Sequence, residues 1–261
     1  MRLFPRLLAA AALVAATSAG AANLKVDYAI SLAGLSLGNA DLDGTFDDSR
    51  YDMKLSGRLT GFAGALAGGS KGGATARGTV SGTRLVSGGF SARGESGSSA
   101  RTVQMGVQSG NVTAIEIEPP FELRPDRVPL TEASKRGIID PLSAVVAVVA
   151  NQAKPDEAAN CNRTLPVFDG TQRFNVVMSY AGTRVVRKPG YSGTVLVCSI
   201  RYVPIAGHRP DRAAVKFMAE NREISVWLAP VAGTRMLVPI RISLDTMLGT
   251  SVIEAQKWSV Q

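Results

Sequence analysis

Apolar and polar positions alternate along most of this chain. In Leu24-Lys25-Val26-Asp27-Tyr28-Ala29-Ile30-Ser31-Leu32 every second residue is apolar, the pattern of a strand with one wet face. Tyr51, Met53, Leu55 and Leu59 keep the period, as do Val103, Met105 and Val107, and later Phe174, Val176, Met178 and Tyr180. The same reading predicts strands over 38–46, 74–81, 84–93, 111–117, 194–203, 222–228, 235–242 and 250–258. Turn-forming clusters separate them: Asp47-Asp48-Ser49, Ser109-Gly110-Asn111 and Arg187-Lys188-Pro189-Gly190. So many strands in one chain imply a large curved sheet, a barrel or a sandwich.

Two stretches depart from the pattern. Glycine occupies 12 of the 37 positions from 61 to 97, among many Ala, Ser and Thr and no Pro. Such a composition suits a flexible linker. Thr75, Arg77 and Thr79 nonetheless alternate with Ala74, Ala76, Gly78 and Val80, which predicts small-residue strands. Strands without large inward side chains leave space on one face, to be filled by another element or by a ligand. The second stretch begins at Asp140-Pro141, an N-cap residue followed by proline at the first helical position. Leu142 to Ala150 is then almost wholly apolar, which predicts a helix buried on most sides, although its valines would also suit a buried strand. Residues 119–137, with Pro119, Pro120, Pro125 and Pro129, read as a crossover between two halves of the sheet. The expected fold is mainly β: a large curved antiparallel sheet, an open or half-closed barrel, wrapped around one apolar helix. An apolar cavity is expected between sheet and helix, with Leu142, Val145, Val146, Val148 and Val149 on its wall.

The first residues change the expected compartment. Met1 to Arg6 is short and basic, Leu7 to Ala16 is apolar, and Ala19-Gly20-Ala21 has the small-residue form that a signal peptidase accepts. Cleavage after Ala21 is expected, leaving residues 22–261 as a single β-rich domain exported to the periplasm. The apolar stretch is too short to cross a bilayer, and no later run is long enough, so the domain is not expected to span a membrane. A transmembrane barrel is disfavoured because the sequence lacks a terminal aromatic residue and places an apolar segment where such barrels have a polar lumen. The formal charge is +8, and +6 without Arg2 and Arg6 (27 basic minus 21 acidic). The basic residues are scattered and aromatics are few. That favours tolerance of anionic surfaces over nucleic-acid binding. Cys161 and Cys198 are the only cysteines, and in an oxidising compartment they are expected to form one disulfide. A metal site would need further ligands, and His208 is the sole histidine.

Candidate chemistry is sparse. Gly68-Gly69-Ser70-Lys71-Gly72 fits G-x-S-x-G, but that motif needs a strand–turn–helix setting which a glycine-rich β tract does not supply. His208 lies beside Arg209 and Arg212. It reads as a turn histidine, as part of an anion-binding group with those arginines, or as a general base with Asp211 or Glu220. Asp47-Asp48 and Glu116 with Glu118 read as solvated acids. No phosphate-binding loop, Cys–His pair or cofactor motif is present, so no cofactor and no catalysis are expected.

The C-terminal part carries a resemblance. Its elements are Cys161-Asn162-Arg163-Thr164-Leu165-Pro166-Val167-Phe168-Asp169-Gly170, and Gly190-Tyr191-Ser192-Gly193 leading to Cys198. Tyr202-Val203-Pro204-Ile205-Ala206-Gly207-His208-Arg209-Pro210 follows, then Val226-Trp227-Leu228-Ala229-Pro230 and Leu237-Val238-Pro239. Together they resemble the bacterial exported family catalogued as domain of unknown function 3108. The resemblance implies an exported protein and no particular reaction. A curved sheet around an apolar element is also similar, at fold level only, to periplasmic lipoprotein carriers, half-open barrels that hold acyl chains. The expected function is therefore a non-enzymatic periplasmic cell-envelope protein that binds a lipid or acyl chain. Two other classes stay open: a structural or partner-binding envelope protein with a filled core, and a secreted hydrolase centred on His208.

Overall fold

The computed structural model describes residues 21–60, 69–122 and 124–261; residues 1–20 of the expected signal peptide and residues 61–68 of the glycine-rich tract lie outside these. Seven strands precede the crossover: β1 (Ala22–Leu32), β2 (Leu35–Phe46), β3 (Arg50–Leu59), β4 (Lys71–Ser81), β5 (Arg84–Ser96), β6 (Ser99–Gln108) and β7 (Asn111–Glu118). The crossover is longer than expected, running over 119–162, and the two-residue strand β8 (Ala147–Val148) lies within it. After it come β9 (Arg163–Phe168), β10 (Arg173–Lys188), β11 (Tyr191–Ala206), helix α1 (Ala213–Glu220), β12 (Ile224–Pro230), β13 (Met236–Thr246) and β14 (Gly249–Val260). All belong to one sheet apart from the helix, in the order β7-β6-β5-β4-β3-β2-β1-β14-β13-β12-β11-β10-β9, with β8 paired to β13. The sheet is mainly antiparallel and is not closed. β1 and β14 pair in its middle, and its two edges, β7 and β9, flank the crossover.

The period-two segments became strands because one face of each could be buried. In β1, Leu24, Val26 and Tyr28 are buried while Lys25 and Asp27 are exposed. Backbone pairing aligns such residues across the sheet, as in the row Met53–Ala76–Phe90–Met105 on β3 to β6. The crossover packs onto this apolar face. Ile138, Ile139, Leu142, Val146 and Val148 join Leu24, Val26, Phe46, Met53 and Trp258 in the main core.

The segment expected to be an apolar helix is not one. Ser143–Val145 forms a single 3-10 turn, and Ala147–Val148 runs on as β8, pairing Val148 with Met236 and Ala147 with Leu237. Its alternation is real but both faces are buried. Val146 and Val148 enter the main core, whereas Ala147 and Val149 enter a second core with Met178, Leu196, Val226 and Leu228. With no wet face there is no polar residue to mark the period, and β-branched valine suits the extended backbone. Cys161 and Cys198 are bonded in this second core, with Cα atoms 5.5 Å apart, tying the end of the crossover to β11.

The crossover also reaches both edges of the sheet. The Ile138 N–H donates to Gly110 O in the β6–β7 turn (2.7 Å). Ile139 forms a parallel bridge with Val167 of β9, donating to Pro166 O (3.0 Å) and accepting from Phe168 N–H (3.0 Å). Covering an edge in this way blunts its tendency to pair with other chains.

Candidate functional site

The crossover fills only one end of the apolar face. The row Met53–Ala76–Phe90–Met105 beneath it is buried, whereas in the row Leu55–Ala74–Ala92–Val103 every side chain is half-buried. One step further lies Ala40–Gly57–Gly72–Gly94–Arg101, small residues ending in an arginine. An apolar cleft of about 730 Å³ opens over these rows, a size usual for small-molecule sites. Tyr28, Ile30, Leu42, Phe90, Ile242 and Ile253 line it from the sheet, and Pro141, Leu142 and Val145 from the crossover. Val103 on β6 and Ile242 on β13 are seven strands apart in sheet order. In a flat sheet that is roughly 34 Å at ~4.8 Å per strand, so sharing one cleft requires strong curvature. Tyr28 directs its hydroxyl away from water, donating to Pro239 O (2.6 Å), and burial holds its pKa well above the usual phenol range.

Of the residues expected to line a cavity, Leu142 and Val145 do so. Val146, Val148 and Val149 do not: they are locked in the two cores, because the segment is extended rather than helical. The expectation that small-residue strands leave room is met at Gly72, Gly73, Ala74 and Ala92, all on the cleft wall. A polar network fixes the crossover above the floor. The Asp140 carboxylate accepts from Ser87 Oγ (2.5 Å), Ser143 Oγ (2.6 Å) and Ser143 N–H (2.8 Å), and Tyr51 Oη meets Ser143 Oγ at 2.7 Å. Burial raises the Asp140 pKa despite these bonds and pushes Tyr51 up to about 12.

A second hollow of about 390 Å³ is basic. Arg101, Arg124, Arg127, Arg209 and Arg212 line it together with Phe121, Gln172 and Val215. Arg124 pairs with Glu122 and Arg209 with Asp126. Arg127 stacks over the Phe121 ring at 4.5 Å and donates through Nη1 to Gly207 O. The structure thus brings Arg209 and Arg212 to one basic pocket, but not His208. That residue is buried, its carbonyl accepting from Val128 N–H (2.9 Å) and its Nδ1 without a hydrogen-bond partner among the described residues. Gly207 permits this turn: it adopts φ +79, and a Cβ there would lie 2.0 Å from Thr171 O. Arg101, Arg124 and Arg127 carried no local sequence signal, since they reach the pocket from β6 and the crossover. Ser70 Oγ donates to Ser96 Oγ (2.8 Å). Among the described residues no group of three His, Cys, Asp or Glu side chains is placed to hold a metal.

Fold and hollows together define an open antiparallel β-sheet protein with an apolar cleft on its concave face and a basic pocket beside it. The chain belongs to the family described as Protein of unknown function (DUF3108), which it matches over residues 27–256. No curated protein and no solved structure matches it.

Proposed function

We propose that this is a non-enzymatic periplasmic protein of the cell envelope that holds a lipid or acyl chain in the cleft on the concave face. The observation that carries the reading is the half-buried apolar row Leu55–Ala74–Ala92–Val103, which a filled core would have buried. Its test is to fill the space. Ala92→Trp should reduce binding of a fluorescent fatty acid at least tenfold while moving the thermal midpoint little, because the cleft has room for the ring. In a close-packed core the same change costs about 1–3 kcal/mol. No fatty-acid binding by the wild type, together with strong destabilisation by Trp, would remove the cleft reading.

A second reading is a partner-binding envelope protein. It draws on Leu35, Met247 and Leu248, exposed at the tips of the neighbouring β1–β2 and β13–β14 hairpins. Under that reading the wild type takes up no acyl chain, and substituting the tips with serine leaves its stability unchanged.

A further inference from the structure

The apolar cleft and the arginine pocket meet. Arg101 lines both, and the β9–β10 turn stands between them, with Asp169 and Thr171 on the cleft and Gln172 on the pocket. Arg101 is also the last member of the small-residue row Ala40–Gly57–Gly72–Gly94–Arg101, and a Cβ on Gly94 would meet nothing within 4 Å. Only small side chains lie along that row between the cleft floor and the guanidinium.

The pocket has more positive charge than its own acids balance. Five arginines line it, and two carboxylates, Glu122 and Asp126, pair with two of them. Among the described residues Arg101 and Arg212 make no ion pair, and the buried Nε of Arg127 has no acceptor. Three guanidinium groups therefore keep donor capacity beside an apolar cleft. A guanidinium fork matches phosphate oxygens bidentately, and a phosphate monoester brings three terminal acceptors and a charge of about −1.5 to −2. A neutral glyceride would leave these donors unmatched, and a free phosphate would leave the cleft unused.

Resting on the acyl-chain reading above, we infer that the ligand is a phosphate-bearing lipid, its acyl chain in the cleft and its phosphate in the arginine pocket, with Arg101 at the junction. The chain alone supplies affinity without direction. The head group sets which end of the lipid enters and selects anionic over neutral lipids.

Calorimetric titration with three probes tests this: lauroyl lysophosphatidic acid, monolauroylglycerol and inorganic phosphate, each lipid below its aggregation concentration. The wild type should bind the lysophosphatidic acid at least about tenfold tighter than the glyceride, and inorganic phosphate far more weakly than either. Arg101→Gln with Arg212→Gln should erase that margin, bringing the two lipids to equal affinity; both side chains are exposed, so the fold does not depend on them. Equal binding of the two lipids by the wild type, a comparison that needs no variant, overturns the head-group assignment and leaves the cleft reading standing. Inorganic phosphate binding as tightly as the lysophosphatidic acid also overturns it, making the pocket a free-anion site. Binding of neither lipid overturns both readings.

Discussion

Asp140 has no solvent exposure, and its carboxylate holds Ser87 of β5 and Ser143 of the crossover together. Asp140→Ala would leave two hydroxyls and the Ser143 N–H without their acceptor. It should lower the unfolding free energy by roughly 2–4 kcal/mol, measured in urea. The same residue carries a pH dependence. An unfolded aspartate titrates near ~3.9. Burial raises the value in the fold, so between the two the native state holds more protons than the unfolded chain. The group's contribution to stability therefore falls as pH rises through that window, and is lost above the raised value. Wild-type stability minus that of Asp140→Asn should decline as pH increases from about 4. A flat difference would show that the carboxylate is not perturbed. Asp140 was legible as the start of a turn in the dipeptide Asp140-Pro141, although the helix it was expected to cap is absent and Leu142 caps the 3-10 turn that follows. The bond between Asp140 and Ser87, 53 positions away, was not legible, because nothing local marks a serine as a partner. The arginines divide the same way: Arg209 and Arg212 stood out beside His208, whereas Arg101 and Arg127 became neighbours only through the path of the chain.

Among the elements, the longer strands were legible and the two shortest, β8 and β9, were not. β1 to β7 and β10 to β14 lie where alternation placed strands, with ends moved by a few residues except in β10, which runs on past Tyr180 to Lys188. β9 went unmarked, since Arg163-Thr164-Leu165-Pro166-Val167-Phe168 is short and interrupted by proline. The eight-residue helix α1 was also missed, being too brief to establish a period of its own. The segment from Leu142 to Ala150 misled because two cores claim its two faces, and an apolar run then looks the same in either conformation. What anchors its far end is the Cys161–Cys198 bond, which closes a loop with a sequence separation of 37. Replacing both cysteines with serine should cost roughly 2–5 kcal/mol. Thiol labelling of the denatured, unreduced wild type should find no free cysteine. Two labelled cysteines, with stability equal to that of the double variant, would mean the bond does not form.

For the molecule as a whole, the order of basic, apolar and small residues before position 22 meets the structure at one point. β1 begins at Ala22, and Asn23 and Gln261 exchange backbone hydrogen bonds of 2.9 Å, so a cut after Ala21 leaves the central strand pair whole. N-terminal sequencing of protein from the periplasmic fraction should begin at Ala22. Protein that keeps Met1 and stays in the cytosol would overturn the proposed export. Strand content, the crossover, the pairing of the cysteines and the presence of spare room beside small residues all followed from the sequence by itself. Each rests on short-range rules: side-chain period, turn chemistry, cysteine parity and residue size. Tertiary structure alone decided which strands neighbour one another, with β1 beside β14. It also decided that the crossover fills one end of the concave face and leaves the other open, and that five arginines converge where the cleft ends. Those outcomes depend on the curvature of the whole sheet and on contacts between residues far apart in the chain, and no local pattern of residue types encodes either.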